Sequence, residues 1–265
     1  LEFTQPLVQG SDTARLVLFH AARDTNFTFA VTNDLTGRGY AVIDTSSPWK
    51  TVFTLDEKPQ RIRVRAIRTC ESQHTATLYG MSLESPLPGV RVDVIGVNGA
   101  MFSSYLESEH FIPQLADRHP DLLIISLGTN EAYGSKSYSS DTLRRTLDSL
   151  FTRIRRAGIT SPVIMTTPPG IYKAYRKKRH THYQPNPVVH QVAEVIREYA
   201  QTHGMAVWDW YSVMGGREAM ARWKAKKLTD RKYVHFSGRG YAIQGMLLRE
   251  ALREQMARSR TGSGR

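Results

Sequence analysis

The chain is 265 residues long, 40% hydrophobic and 23% charged, the composition of a globular protein with one large or two modest domains. Its single cysteine, Cys70, excludes an intrachain disulfide framework or cysteine-built zinc site, and no apolar run approaches the ~18 residues of a membrane span. Lys and Arg total 36 against 24 Asp and Glu, a formal charge of +12, which favours anionic partners.

The chain opens Leu1-Glu2-Phe3 without methionine, the pattern of a processed or trimmed start. Residues 1–88 read as a first domain of short strands. The runs Arg15–His20, Phe27–Thr32, Tyr40–Thr45, Lys50–Leu55, Arg61–Ile67 and Ala76–Met81 are rich in β-branched and aromatic residues. Arg61-Ile62-Arg63-Val64-Arg65 alternates most cleanly, with apolar side chains on one face and guanidiniums on the other. Turn formers such as Asn33-Asp34, Gly37-Arg38-Gly39 and Ser46-Ser47-Pro48 separate the runs, and no helical period appears. A small antiparallel β-sandwich is the expected solution.

After Pro88-Gly89 the texture changes, and residues 89–258 read as an α/β domain. Strands are expected at Val90–Val97, Leu122–Leu127, Pro162–Thr167 and Met205–Trp208. Amphipathic helices are expected around Tyr105–Arg118, Asp141–Ala157, Val188–His203 and Gly238–Arg258, leaving 259–265 as a basic flexible tail. Alternating strands and helices predict a parallel sheet covered on both faces, three layers in all. The densest basic cluster, Lys173 with Arg176-Lys177-Lys178-Arg179-His180, reads as a solvated face or loop. Nothing resembling a zinc finger, an RNA-binding strand or a helix-turn-helix accompanies it, so no nucleic-acid partner is expected.

In parallel sheets function gathers beyond the carboxyl ends of the strands, and three loops stand there. They are Gly96-Val97-Asn98-Gly99-Ala100, Gly128-Thr129-Asn130-Glu131, and Tyr233-Val234-His235-Phe236-Ser237 before the last helix. Acyl transfer needs N–H donors already aimed at the developing oxyanion. Glycine brings a backbone N–H close and asparagine adds an uncharged donor, so Gly99 and Asn130 suit that role. His235 suits a general base, since imidazole takes a proton near neutral pH. Glu131 is weighed as a substrate-binding or merely solvated carboxylate. The other histidines make no His-Glu-x-x-His pattern, and neither metal nor cofactor is expected.

Gly99, Asn130 and His235, in that order and setting, resemble the second, third and fifth blocks of the SGNH (GDSL-type) hydrolase superfamily. Leu127-Gly128-Thr129-Asn130-Glu131-Ala132, and Val234-His235-Phe236-Ser237 with Gly240-Tyr241, resemble its peptidoglycan O-acetylesterase branch, as do Thr166-Thr167-Pro168-Pro169, Trp208-Asp209, Met214-Gly215-Gly216 and Trp223. In that branch a sandwich resembling a carbohydrate-binding module is inserted between the serine and glycine blocks, the slot that the strand-rich first domain would fill. Two features depart from the pattern. No Gly-Asp-Ser occurs, and Gly10-Ser11-Asp12 has the letters in another order with no apolar strand before it. The resemblance thus implies a nucleophilic serine and first strand upstream of Leu1, kept as a separate clipped chain or replaced by another segment. Three residues before the histidine, where the family places an aspartate, stands Lys232. Asp230, two residues out of register, is the candidate substitute for orienting the imidazole; a backbone carbonyl is the other.

The resemblance implies an extracytoplasmic serine esterase acting on an acetylated polysaccharide, peptidoglycan first among them. Two alternatives stand beside it: a non-catalytic glycan-binding or assembly protein on a degenerate fold, and a polysaccharide O-acetyltransferase.

Overall fold

The computed structural model describes residues 13–22, 27–57, 59–134 and 138–262, with side chains as far as Arg258. Gly10-Ser11-Asp12 lies outside the described residues. The chain divides into two compact units, Leu1–Val94 and Ile95–Arg265.

The first unit contains two antiparallel sheets. One runs in the order β3 (Val42–Asp44), β4 (Lys50–Leu55), β1 (Ala14–His20), β6 (Leu78–Glu84); the other pairs β2 (Thr28–Asn33) with β5 (Ile62–Ile67). Side chains on a strand alternate between faces, so every second residue of each sheet points inward. Leu16, Leu18, Phe53 and Leu55 from the larger sheet meet Phe29, Val31 and Ile62 from the smaller in one buried cluster. The sharp alternation of residues 61–65 is realised in β5, where Ile62 is fully buried and the flanking arginines face water. His20, also buried, is satisfied by Thr51 Oγ1 at 2.9 Å and packs on the Phe29 ring.

The second unit is built on a parallel sheet in the order β11 (Ala206–Trp208), β8 (Val163–Thr166), β7 (Leu123–Ser126). Two long helices supply nearly half of its core. Helix α4 (Ser140–Arg156) starts where the Ser139 hydroxyl accepts from Thr142 N–H, and buries Leu143, Leu147, Leu150, Phe151 and Ile154 at helical spacing. Helix α5 (Val188–Thr202) buries Val189, Val192, Ala193, Ile196 and Ala200 and packs on β8, β11 and α4. Shorter helices α1 (Phe102–Glu107), α2 (Phe111–Asp117), α3 (Thr129–Tyr133), α6 (Trp210–Val213) and α7 (Ala219–Ala225) line the connections. The terminal helix α8 (Gly238–Gly262) continues into the segment expected as a tail from residue 259.

Two expectations are corrected. Val90–Val97 forms no strand, and Val90, Val92 and Val94 stand 93%, 76% and 85% exposed. A strand persists only when its backbone groups find a neighbour, and no described strand pairs with this segment. The helix expected over Tyr105–Arg118 is broken into α1 and α2 at Ser108, whose backbone is extended. Pro113 explains the break. Inside one continuous helix it would remove a hydrogen bond and clash, whereas as the third residue of α2 its missing N–H costs nothing. The basic cluster, expected as a solvated face or loop, is exposed over residues 176–180. It lies on a β-hairpin of β9 (Tyr172–Lys177) and β10 (His180–Pro185), with Lys178 and Arg179 between the strands.

Candidate active site

Beyond β7 the chain must turn sharply into α3. Gly128 makes that turn at φ +109°, and a Cβ there would meet Val192 and Ile196 of α5 at 3.0 and 3.1 Å. Only glycine meets both conditions. The turn delivers Asn130 and Glu131 on α3. The Asn130 side-chain amide donates to the Ala100 carbonyl at 2.8 Å, while Gly99, at φ +80°, closes the turn in which Ala100 N–H donates to the Val97 carbonyl. The structure thereby brings Gly99 and Asn130 together.

Glu131 reinforces that junction. Its Oε1 accepts from Phe102 N–H at 2.6 Å, at the start of α1. Its Oε2 is buried without a hydrogen-bond partner. Burial pushes the carboxyl above its usual value, against the backbone N–H groups that favour the charged form. Half-buried and holding the start of α1, Glu131 is not the merely solvated loop carboxylate of one sequence reading. Behind it, the Asn186 amide donates to the Ala132 carbonyl at 2.8 Å and its oxygen accepts from Val188 N–H, joining α3 to the start of α5.

A second clasp sits past β8 and β11. Thr167 Oγ1 donates to Asp209 Oδ1 and accepts from Tyr211 N–H, both at 2.8 Å. Asp209 Oδ2 also accepts from Ser212 Oγ at 2.6 Å and from Arg197 at 3.0 Å. Burial acts to raise the Asp209 carboxyl, but these hydrogen bonds and the guanidinium hold it below its usual value.

His235 lies in a loop fastened through main chain. Asp230 N–H donates to the His235 carbonyl at 2.8 Å, Ser237 N–H donates to the Leu228 carbonyl at 2.9 Å, and Thr229 bridges Phe236. The Asp230 carboxylate accepts from Lys232 N–H and Val234 N–H, each at 3.1 Å, so it ties the loop rather than reaching the imidazole. Phe236 anchors the loop from below, packed against Trp210, Trp223 and Tyr241. Gly240 lets α8 approach, since a Cβ there would stand 2.2 Å from the Leu228 carbonyl oxygen. The His235 side chain itself is exposed. Among the described residues no hydrogen bond links its ring to Asn130 or Gly99. Leu228, where this loop begins, also lines a cleft of about 630 Å³ with Met214, Trp223, Ile243 and the cations Arg222, Lys226 and Arg239.

A family model of GDSL-like lipases and acylhydrolases matches residues 68–243, a span that contains Gly99, Asn130, Asp230 and His235. The chain belongs to the GDSL-like lipase/acylhydrolase family. A solved peptidoglycan O-acetylesterase superposes with a TM-score of 0.71 over 93% of this chain at 21% identity. The chain spans 65% of that protein's length. An acetyl xylan esterase (TM-score 0.46, 14% identity, 59% of this chain and 78% of that one) and a lipase/acylhydrolase from Enterococcus faecalis (0.40, 22%, 59% and 72%) are more distant in shape. A search of curated proteins finds no match. No helix among the described residues is long and apolar enough to cross a membrane.

Proposed function

We propose that this chain carries the oxyanion and base groups of a serine esterase that removes O-acetyl groups from a polysaccharide outside the cytoplasm, with peptidoglycan as the foremost substrate. The observation that carries the reading is the clamp between Asn130 and the Ala100 carbonyl, which sets an asparagine amide beside the Gly99 turn. One amide hydrogen is engaged in that bond and the other remains for a ligand. The family match supports the same chemistry.

A serine supplied from outside this sequence attacks the acetyl carbonyl, and His235 takes the hydroxyl proton. The tetrahedral oxyanion accepts from Gly99 N–H and the free Asn130 hydrogen. Collapse breaks the ester, and the sugar oxygen leaves with the proton from His235. Water then attacks the acyl-serine with His235 again as base, releasing acetate. Among the serines present, Ser104 Oγ accepts from Met101 N–H and Ser126 Oγ accepts from Thr166 Oγ1, so both already have structural partners. Asp230 positions His235 through the loop backbone. The two-sheet unit serves as a glycan-binding module in this reading, and the charge of +12 suits an anionic wall polymer.

Lys232 favours a second reading. With no carboxylate on the imidazole, the fold would bind glycan without turning it over. Acetate release from O-acetylated peptidoglycan, measured with and without an added chitooligosaccharide, separates the cases. Free acetate in both conditions supports the esterase. Acetate carried onto the oligosaccharide means a transferase, and binding with no acetate movement means a binding protein.

A further inference from the structure

The β9–β10 hairpin is absorbed by no step of this chemistry. Between Tyr172 and Pro185 it carries Lys173, Arg176, Lys177, Lys178 and Arg179 and no acidic residue. Residues 174–182 are all exposed, and among the described residues Arg176, Lys177, Lys178 and Arg179 have no carboxylate partner. At the tip, Lys178 holds φ +55°, a position where glycine or asparagine would turn the chain at less cost.

The register divides the hairpin into two faces. Tyr172, Ala174 and Arg176 share one with Tyr183 and Thr181. Its base is closed by Tyr233, which stacks on Tyr172 at 5.0 Å, contacts Tyr183 at 5.5 Å, and accepts a backbone bond from Tyr172. Tyr233 stands two residues before His235, so the hairpin is rooted in the loop that carries the candidate base. The other face bears Lys173 opposite Gln184, Tyr175 opposite His182, and Lys177 opposite His180. Tyr175 and His182 stack across the strands with centroids 5.5 Å apart and planes 28° from parallel. Tyr175 is 40% exposed.

We propose that this face is a docking platform for an anionic polysaccharide. The Tyr175–His182 pair offers a flat surface to the C–H face of a sugar ring, and the cations on either side receive the carboxylates or phosphates of neighbouring units. The choice of a glycan over another polyanion rests on the esterase reading, because the platform is built on the His235 loop. It would hold a wall polymer while its acetyl groups reach the site.

The test is binding of the complete protein to polygalacturonate, with dextran and duplex DNA as comparisons, between about 50 and 200 mM salt. One variant replaces Lys177 of this face and the two tip cations as Lys177→Gln, Lys178→Asn and Arg179→Gln, asparagine being tolerant of the left-handed position. It is expected to bind polygalacturonate about tenfold or more weakly and to flatten the salt dependence. Tyr175→Ala is expected to lose roughly fivefold with the salt slope unchanged, and dextran to bind to neither form. Unchanged affinity in both variants overturns the platform. Duplex DNA bound as tightly as polygalacturonate, with no loss in Tyr175→Ala, overturns it in favour of a generic polyanion surface. His235→Ala keeps the esterase question apart: binding retained while acetate release is absent even in the parent protein sinks only the esterase reading. Acetate release with no polygalacturonate binding sinks only the platform.

Discussion

Asn130 and His235 are held in different ways. On the Asn130 side the positioning is done by side chains: its amide on the Ala100 carbonyl, Glu131 on Phe102 N–H, and Asn186 on the Ala132 carbonyl. On the His235 side it is done by main chain and aromatic packing, with the Asp230 carboxylate on two backbone N–H groups and Phe236 wedged among Trp210, Trp223 and Tyr241. The contrast fits the two tasks proposed for them. An oxyanion donor must be fixed before charge develops, because its value lies in costing no reorganisation. A base must turn between a serine, a leaving oxygen and a water, and an exposed ring on a rigid loop can do so.

The largest expected effect is on the base. His235→Ala in the complete protein should lower turnover by about 10²–10⁴-fold with an unchanged circular dichroism spectrum; near-normal turnover would remove His235 from the mechanism. Asn130→Ala should lower kcat by about 10²–10³-fold, since it takes away a donor and also the bond to Ala100. An effect confined to KM would mean that Asn130 binds substrate instead.

Gly240→Ala tests the main-chain side. Its new methyl would press on the Leu228 carbonyl, and a loss of about 2 kcal/mol in stability is expected from such a contact, read by denaturant unfolding. Smaller still is Asp230→Asn, which keeps an acceptor for Lys232 and Val234 N–H. Turnover should change less than about threefold if the residue acts through the backbone. A loss of tenfold or more would mean that the charge itself serves the imidazolium.

Glu131→Gln should give the smallest change and act through pH. Burial raises the folded-state carboxyl above its unfolded value, so the native state holds that proton more tightly. Stability therefore falls as pH climbs from the ordinary carboxylate range through the raised value. Thermal melts across this window should show the slope in the parent protein and a flatter profile in Glu131→Gln. Equal slopes would place the charge cost elsewhere.

Much of this was legible in the residues, for physical reasons that also mark the limits. Strands β2 and β5 alternate because one face is buried, and α4 and α5 show their period because each buries a single stripe. The β9–β10 hairpin is exposed on most of both faces, so its sequence carries charge where alternation would have shown a strand. Val90–Val97 has the alternation and lacks the neighbour. Asn130 stands out by its place after β7, and Gly99 and His235 by residue type in their loops and by resemblance. The roles of Glu131, Asn186 and Asp209 depend on burial and on partners 29, 54 and 42 residues distant, which no local pattern encodes.

The central claim is that His235 activates a serine in an acyl-transfer site. The direct measurement is labelling of the complete protein with a fluorophosphonate, followed by peptide mass spectrometry. The account predicts one labelled serine, on a peptide outside these 265 residues, with labelling lost in His235→Ala. A label on Ser11, Ser103 or Ser104, or labelling indifferent to His235→Ala, would contradict it.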